Sequence, residues 1–208
     1  MRAKIIHIDV LLLVVLLVLC NLHLLSNSSS DATAFFPARV FDGEWWRIVT
    51  HMFTHVSWYH LLIDASAFFL IYSCLAEQVW WRRLLYVAAC SLGSLAGAFF
   101  SPLFYSLGLC GLSGAAHGLL AVVALELITG RNRPNRLIGW IVLVALVGKT
   151  GIELYTGQAF FSALHFGTIG TPIVQCHAGG IAGGALLFAF FALFNRLSQK
   201  NEYVSRQQ

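Results

Sequence analysis

Charge is what this sequence has least of. Only 11% of its 208 residues are Asp, Glu, Lys or Arg, where a soluble domain carries roughly 25%. Water is therefore not the expected solvent for most of the chain. The formal net charge of +4 is small and dispersed, which argues against a nucleic-acid partner. The five cysteines, Cys20, Cys74, Cys90, Cys110 and Cys176, show no C-x-x-C spacing. That gives no signal for a zinc site or a disulfide scaffold, so no metal and no cofactor is expected. No internal repeat, low-complexity tract or separate soluble domain is evident.

What is present is apolar sequence, 58% of the chain. Runs of about 20 apolar residues have the length of a membrane span. Reading them against turn signals predicts an all-α, polytopic membrane protein: one domain over 1–208, with six helices at about 5–25, 56–76, 84–105, 113–129, 137–157 and 175–194. The first run follows "MRAK", and its apolar core from Val10 to Cys20 also fits a signal peptide. No clear small-x-small cleavage site follows Leu25, so the run is read as a retained span. Trp45 and Trp46, in the polar stretch after it, suit a membrane interface.

The basic residues orient the helices. Arg2, Lys4, Arg82, Arg83, Arg131, Arg133, Arg136, Arg196, Lys200 and Arg206 collect on one side, and Arg39 and Arg47 on the other. The positive-inside rule then puts both termini in the cytoplasm. The fourth helix is short: Ser113 to Arg131 is 18 residues, about 27 Å at 1.5 Å per residue. Against a hydrocarbon core of about 30 Å, Ser113 should start a helix inside the bilayer. Such a start needs protein or a wet cavity around it.

Ionisable groups at membrane depth are costly and functional by default. Counting inward from the outer side puts His177 on the sixth helix level with Ser113. His60 on the second helix lies at a similar level, with Asp64 one turn deeper. Polar side chains from three helices thus converge on one layer. The pairs Gly114/Gly118, Gly179/Gly183 and Gly180/Gly184 are small-xxx-small seams that let helices pack closely.

Ser113 and a neutral His177 make a plausible nucleophile and base. No carboxylate lies near His177 in sequence, so a dyad is expected. Free N–H groups at the start of the fourth helix, and the His60 side chain, would serve the oxyanion. His117 shares a helix face with Ser113 but lies about 6 Å deeper, which fits a support under the His177 ring better than a base.

Three stretches, "GEWWRIVTHMFTHVSWYHLLID", "GLSGAAHG" and "HAGGIAGG", resemble the rhomboid family of intramembrane serine proteases. They match its W-R first loop, H-x-x-x-N second helix, G-x-S-G motif and His-bearing sixth helix, in order, from about Gly43 to Phe194. The resemblance implies a six-helix rhomboid bundle with Ser113 as nucleophile, His177 as base, His60 at the oxyanion hole, and Gly111 and Gly114 as motif glycines. There are two departures. Asp64 stands at the family's Asn position, where an ionised carboxylate would repel an oxyanion. His117 stands where many members have a tyrosine.

His117, the compact build and the Lys149/Glu153 pair resemble the rhombosortase branch. That implies a bacterial inner-membrane enzyme with its site open to the periplasm. Its partners would be the lipid bilayer and exported, membrane-anchored substrates with a C-terminal Gly-Gly-containing transmembrane tail. The reaction would be peptide cleavage or transfer to an acceptor amine, and Gly-Gly near the surface would unwind easily. Lys149 and Glu153 either neutralise one another at i, i+4 spacing or recognise the substrate tail. His51 and His55 fit the family's pattern around the first loop, or are structural histidines. Cys110 and Cys176, near the dyad in sequence, are candidates for a disulfide. Two other functions compete: a catalytically silent rhomboid-like binder of membrane clients, and a metal transporter using His51, His55, His60, His117 and His177.

Overall fold

The computed structural model describes residues 8–26, 28–160 and 166–205, with side chains as far as residue 198. Long helices dominate: α1 (Ile8–Cys20), α2 (Trp58–Ser73), α3 (Trp80–Ala98), α4 (Ser113–Thr129), α5 (Arg133–Thr156) and α6 (Gln175–Ser205). Short helical turns fill the linker between α1 and α2. No strand occurs among the described residues, only an isolated antiparallel bridge between Phe35 and Leu109.

Helix positions follow the apolar pattern, and most of the differences lie at the ends. The third helix, expected over 84–105, instead runs Trp80–Ala98, and a separate short helix starts at Pro102. Proline supplies no N–H and pushes the preceding residue out of the α region, which breaks the run there. The first helix stops at Cys20, and Leu22–Leu25 continues as a 3₁₀ turn. α5 begins earlier than expected because a proline suits a helix's first turn, and α6 runs on to Ser205. Arg2, Lys4 and Arg206, which helped set the expected orientation, lie outside the described residues.

Two helices are long and apolar enough to cross a membrane: Arg133–Thr156 and Gln175–Ser198, with mean hydropathies of 1.8 and 1.7. α1 and α4 are shorter apolar helices. The outward faces carry large apolar side chains, among them Leu11, Leu62, Val144 and Leu186. Exposed apolar side chains are what a lipid-facing helix presents.

Close backbone approach holds the bundle together. α6 uses two glycine pairs on two faces. Gly179 and Gly183 lie against Gly93 and Gly97 of α3, while Gly180 and Gly184 lie against Gly114 and Gly118 of α4. A Cβ on Gly180 would fall on the Gly114 carbonyl oxygen, and one on Gly118 would lie 2.5 Å from Cys90 Sγ. Because the glycines of α6 carry no side chain, many of the contacts across the seam run backbone to backbone.

Beside the seam, Leu13, Leu17, Phe68, Tyr72, Leu119 and Val122 form a buried apolar cluster that joins α1, α2 and α4. At one end of it the Tyr72 hydroxyl donates to Asp9 Oδ2 at 2.6 Å, and Arg83 Nε lies 3.2 Å from the same oxygen. The linker between α1 and α2 is pinned by buried polar groups. Asn21 Nδ2 donates to the carbonyls of Leu17 (2.7 Å) and Phe53 (2.6 Å), and the His55 N–H donates to Asn21 Oδ1 (2.9 Å). The buried Arg47 guanidinium donates to the Asp31 and Ala34 carbonyls and pairs with Glu44.

Candidate active site

The turn that presents Ser113 is built by backbone constraints. Leu109 and Phe35 exchange backbone hydrogen bonds of 2.9 Å in both directions, and the Gly111 N–H donates to the His51 carbonyl at 3.1 Å. Gly111 has φ +105°, a left-handed conformation that only glycine adopts without strain. It also lies against the site: a Cβ there would sit 2.9 Å from both Asp64 Oδ2 and His60 Nε2. From this turn α4 begins at Ser113.

The glycine seam then carries α6 close enough for His177 to reach it. His177 Nε2 lies 3.4 Å from Ser113 Oγ, across 64 positions of sequence. The other ring nitrogen, Nδ1, lies 2.8 Å from Glu153 Oε2 on α5. A carboxylate only accepts, so Nδ1 carries a proton, and in the neutral ring Nε2 then presents its lone pair to the serine. The sequence offers no carboxylate beside His177, and the packed bundle brings Glu153 to its Nδ1. Glu153 is distant from His177 in sequence and paired with Lys149, so it carried no signal of reaching the ring.

Lys149 and Glu153 do pair, at 2.7 Å between Nζ and Oε1. Glu153 Oε1 also accepts from the Phe160 N–H at 2.8 Å. The Glu153 side chain is 1% exposed, and these bonds satisfy a charge that would otherwise be costly to bury. Lys149 Nζ further lies 2.7 Å from His117 Nε2, and His117 Nδ1 lies 2.7 Å from the Ser113 carbonyl oxygen. The His117 and His177 rings stack face to face, with centroids 3.9 Å apart and planes 9° from parallel. His117 thus lies flat against the His177 ring, bonded to the Ser113 backbone.

On the opposite side, Asp64 Oδ2 accepts the Ser113 backbone N–H at 3.1 Å. The same oxygen lies 3.3 Å from His60 Nε2 and 3.6 Å from His55 Nε2. His60 is held at the start of α2, where its N–H donates to the capping Ser57 hydroxyl at 3.0 Å. Ser113, His60, Asp64 and His177 thus come together, as depth matching anticipates. Gly114 packs on Ser94, whose Oγ occupies the space a Cβ would need.

The remaining candidates have structural surroundings. His51 is buried with Nδ1 3.0 Å from the Arg47 carbonyl; burial pushes its imidazole down to about 4, so it is neutral at pH 7. His55 is likewise lowered, chiefly by burial. Cys110 and Cys176 are free thiols. Two groups bring potential ligand atoms close together, His55/His60/Asp64 and His117/Glu153/His177. In the second, the Lys149 ammonium already contacts both His117 and Glu153, so a cation is supplied by the chain itself.

A rhomboid domain model matches residues 42–194. The chain is 28% identical over 173 residues to the rhomboid protease GluP of Bacillus subtilis (strain 168), covering 80% of this chain and 30% of that protein. It is also 28% identical over 159 residues to YdcA of the same strain, which carries the rhomboid protease name provisionally; this covers 76% of the chain and 72% of YdcA. The chain thus spans about a third of GluP's length. No solved structure shows a significant match. With the domain matched over most of its length and helices long enough to cross a bilayer, the chain belongs to the rhomboid family of integral membrane proteins.

Proposed function

We propose that the protein is an intramembrane serine protease that uses Ser113 as nucleophile and His177 as general base. The observation that carries this reading is Ser113 Oγ lying 3.4 Å from the His177 Nε2 lone pair at the head of α4. As Oγ bonds to the scissile carbonyl carbon, its proton passes to Nε2. The tetrahedral oxyanion forms beside the Ser113 N–H, Gly111 and His60. When the C–N bond breaks, Nε2–H protonates the departing amine and leaves an acyl-Ser113. Water resolves it by hydrolysis, with His177 again taking the proton, or an acceptor amine resolves it by transfer.

Six membrane spans, both termini in the cytoplasm and a site opening to the periplasmic side of a bacterial inner membrane complete this reading. The substrates are membrane-anchored exported proteins whose C-terminal tail holds Gly-Gly beside a transmembrane segment. Support comes from the basic-residue asymmetry and the resemblance to the rhombosortase branch. Membrane-interface residues Trp45 and Trp46 are exposed, as this placement requires.

A second reading, a silent rhomboid-like binder, is favoured by one observation: Asp64 Oδ2 takes up the Ser113 N–H that an oxyanion needs. Proteoliposomes holding the protein and a Gly-Gly-tailed membrane reporter separate the two. The protease shortens the reporter and Ser113→Ala abolishes the cut; a binder retains the reporter intact, with or without Ser113.

A further inference from the structure

We infer that Glu153, clamped by Lys149, is a positioning residue that completes a Ser113–His177–Glu153 triad inside the helix bundle. This rests on the protease reading above and adds the element that reading does not require. A serine–histidine dyad works without a carboxylate, so the presence of one at Nδ1 calls for its own account.

Partner chemistry fixes every proton in the network. The Ser113 carbonyl only accepts, so His117 Nδ1 is the donor at 2.7 Å. His117 Nε2 then holds a lone pair, which receives an N–H of Lys149 at 2.7 Å. Lys149 also donates to Glu153 Oε1 at 2.7 Å, and Glu153 Oε2 accepts from His177 Nδ1 at 2.8 Å. His177 Nε2 faces the Ser113 hydroxyl. The chain of bonds leaves from the Ser113 carbonyl and returns to its side chain, and only one His177 tautomer satisfies all of it. That tautomer is the one that accepts a proton from serine.

An ion pair made for its own sake would look different. The Lys149 side chain is 28% exposed and Glu153 only 1%, so the ammonium retains access to its surroundings and has less need of the carboxylate. Glu153 is the expensive member, and its buried oxygens converge on His177, Lys149 and the Phe160 N–H. When Nε2 takes the serine proton, the ring becomes a cation with its Nδ1–H on that carboxylate. Groups facing the ring are Ser113 and His117 from α4 and Glu153 from α5, with Lys149 behind. Because Lys149 donates to His117, the stacked ring stays neutral and offers a π face to the new cation.

Glu153→Gln tests this with little change in shape. Position Oε1 faces two donors, Lys149 Nζ and the Phe160 N–H, so the amide oxygen belongs there and the NH₂ turns to His177. An NH₂ group demands a lone pair on Nδ1, which moves the ring proton to Nε2 and removes the base. The readout is the second-order rate of fluorophosphonate labelling of the full chain in membranes, from about pH 6 to about pH 9. Wild type is expected to level off with pH. Glu153→Gln is expected to fall about 10³-fold near neutrality and to climb steadily with pH, as hydroxide replaces the base. Equal rates, or a slower profile parallel to wild type, overturn the triad while leaving the protease reading intact. No labelling of the wild type defeats both. Should Glu153→Gln not fold, ¹⁵N NMR of histidine-labelled wild type, assigned against His177→Gln, decides between the two tautomers directly. Protonated Nδ1 with bare Nε2 is required, and the opposite tautomer overturns the proposal.

Discussion

Asp64 is the residue where local chemistry and proposed reaction pull apart. Its Oδ2 sits 3.1 Å from the Ser113 N–H and 3.3 Å from His60 Nε2, two donors an oxyanion would use. A carboxylate there satisfies them in the resting enzyme and repels the charge that develops during attack. Asp64→Asn keeps the size and replaces repulsion by an amide that donates. Fluorophosphonate labelling of Ser113 is expected to rise about tenfold, equivalent to about 1.4 kcal/mol of barrier. A fall in rate would mean that the carboxylate is needed to hold the turn at Gly111. The sequence revealed the anomaly of Asp64 but not its contacts with Ser113 and His55, which arise only once the helices and linker are packed. Glu153 was hidden for a related reason. Its i, i+4 lysine accounted for its charge along α5, and nothing within one helix shows which neighbouring helix a second oxygen faces.

Among elements, α6 does the most to build the site, because its glycine faces decide how near His177 comes to Ser113. The pairs Gly179/Gly183 and Gly180/Gly184 were legible as seams, as was Gly114/Gly118. The α3 partners Gly93 and Gly97 were not singled out, although the same spacing marks them. Only the packed bundle shows that α6 uses one glycine face per neighbour. Gly180→Val places a branched side chain on the Gly114 carbonyl and should push α6 away from α4. We expect thermal stability in detergent to drop and labelling of Ser113 to fall by at least about 100-fold, since a displacement near 1 Å costs that much in a positioned reaction. Unchanged labelling would show that His177 does not depend on the seam. Helix ends, by contrast, followed punctuation that spans obscured: the apolar run through residues 99–105 hid the break at Pro102.

At the scale of the molecule, the inverted distribution of polarity carries the account. Apolar side chains face outward on α1, α2, α5 and α6, while ionisable groups gather inside between α2, α4, α5 and α6. The all-helical build and the convergence of Ser113, His60 and His177 were readable from hydropathy and depth, because apolar runs read against a slab of known thickness give each polar residue a level. Depth says nothing about azimuth, so the third partner of His177 and the occupant of the Ser113 N–H stayed out of sight. The central claim is that this interior cluster makes Ser113 a nucleophile through His177. Peptide mass spectrometry of fluorophosphonate-treated membranes tests it most directly. The account predicts a single adduct on Ser113 that is lost in His177→Ala at neutral pH. An adduct on any other residue, or one on Ser113 that forms equally fast without His177, would contradict it.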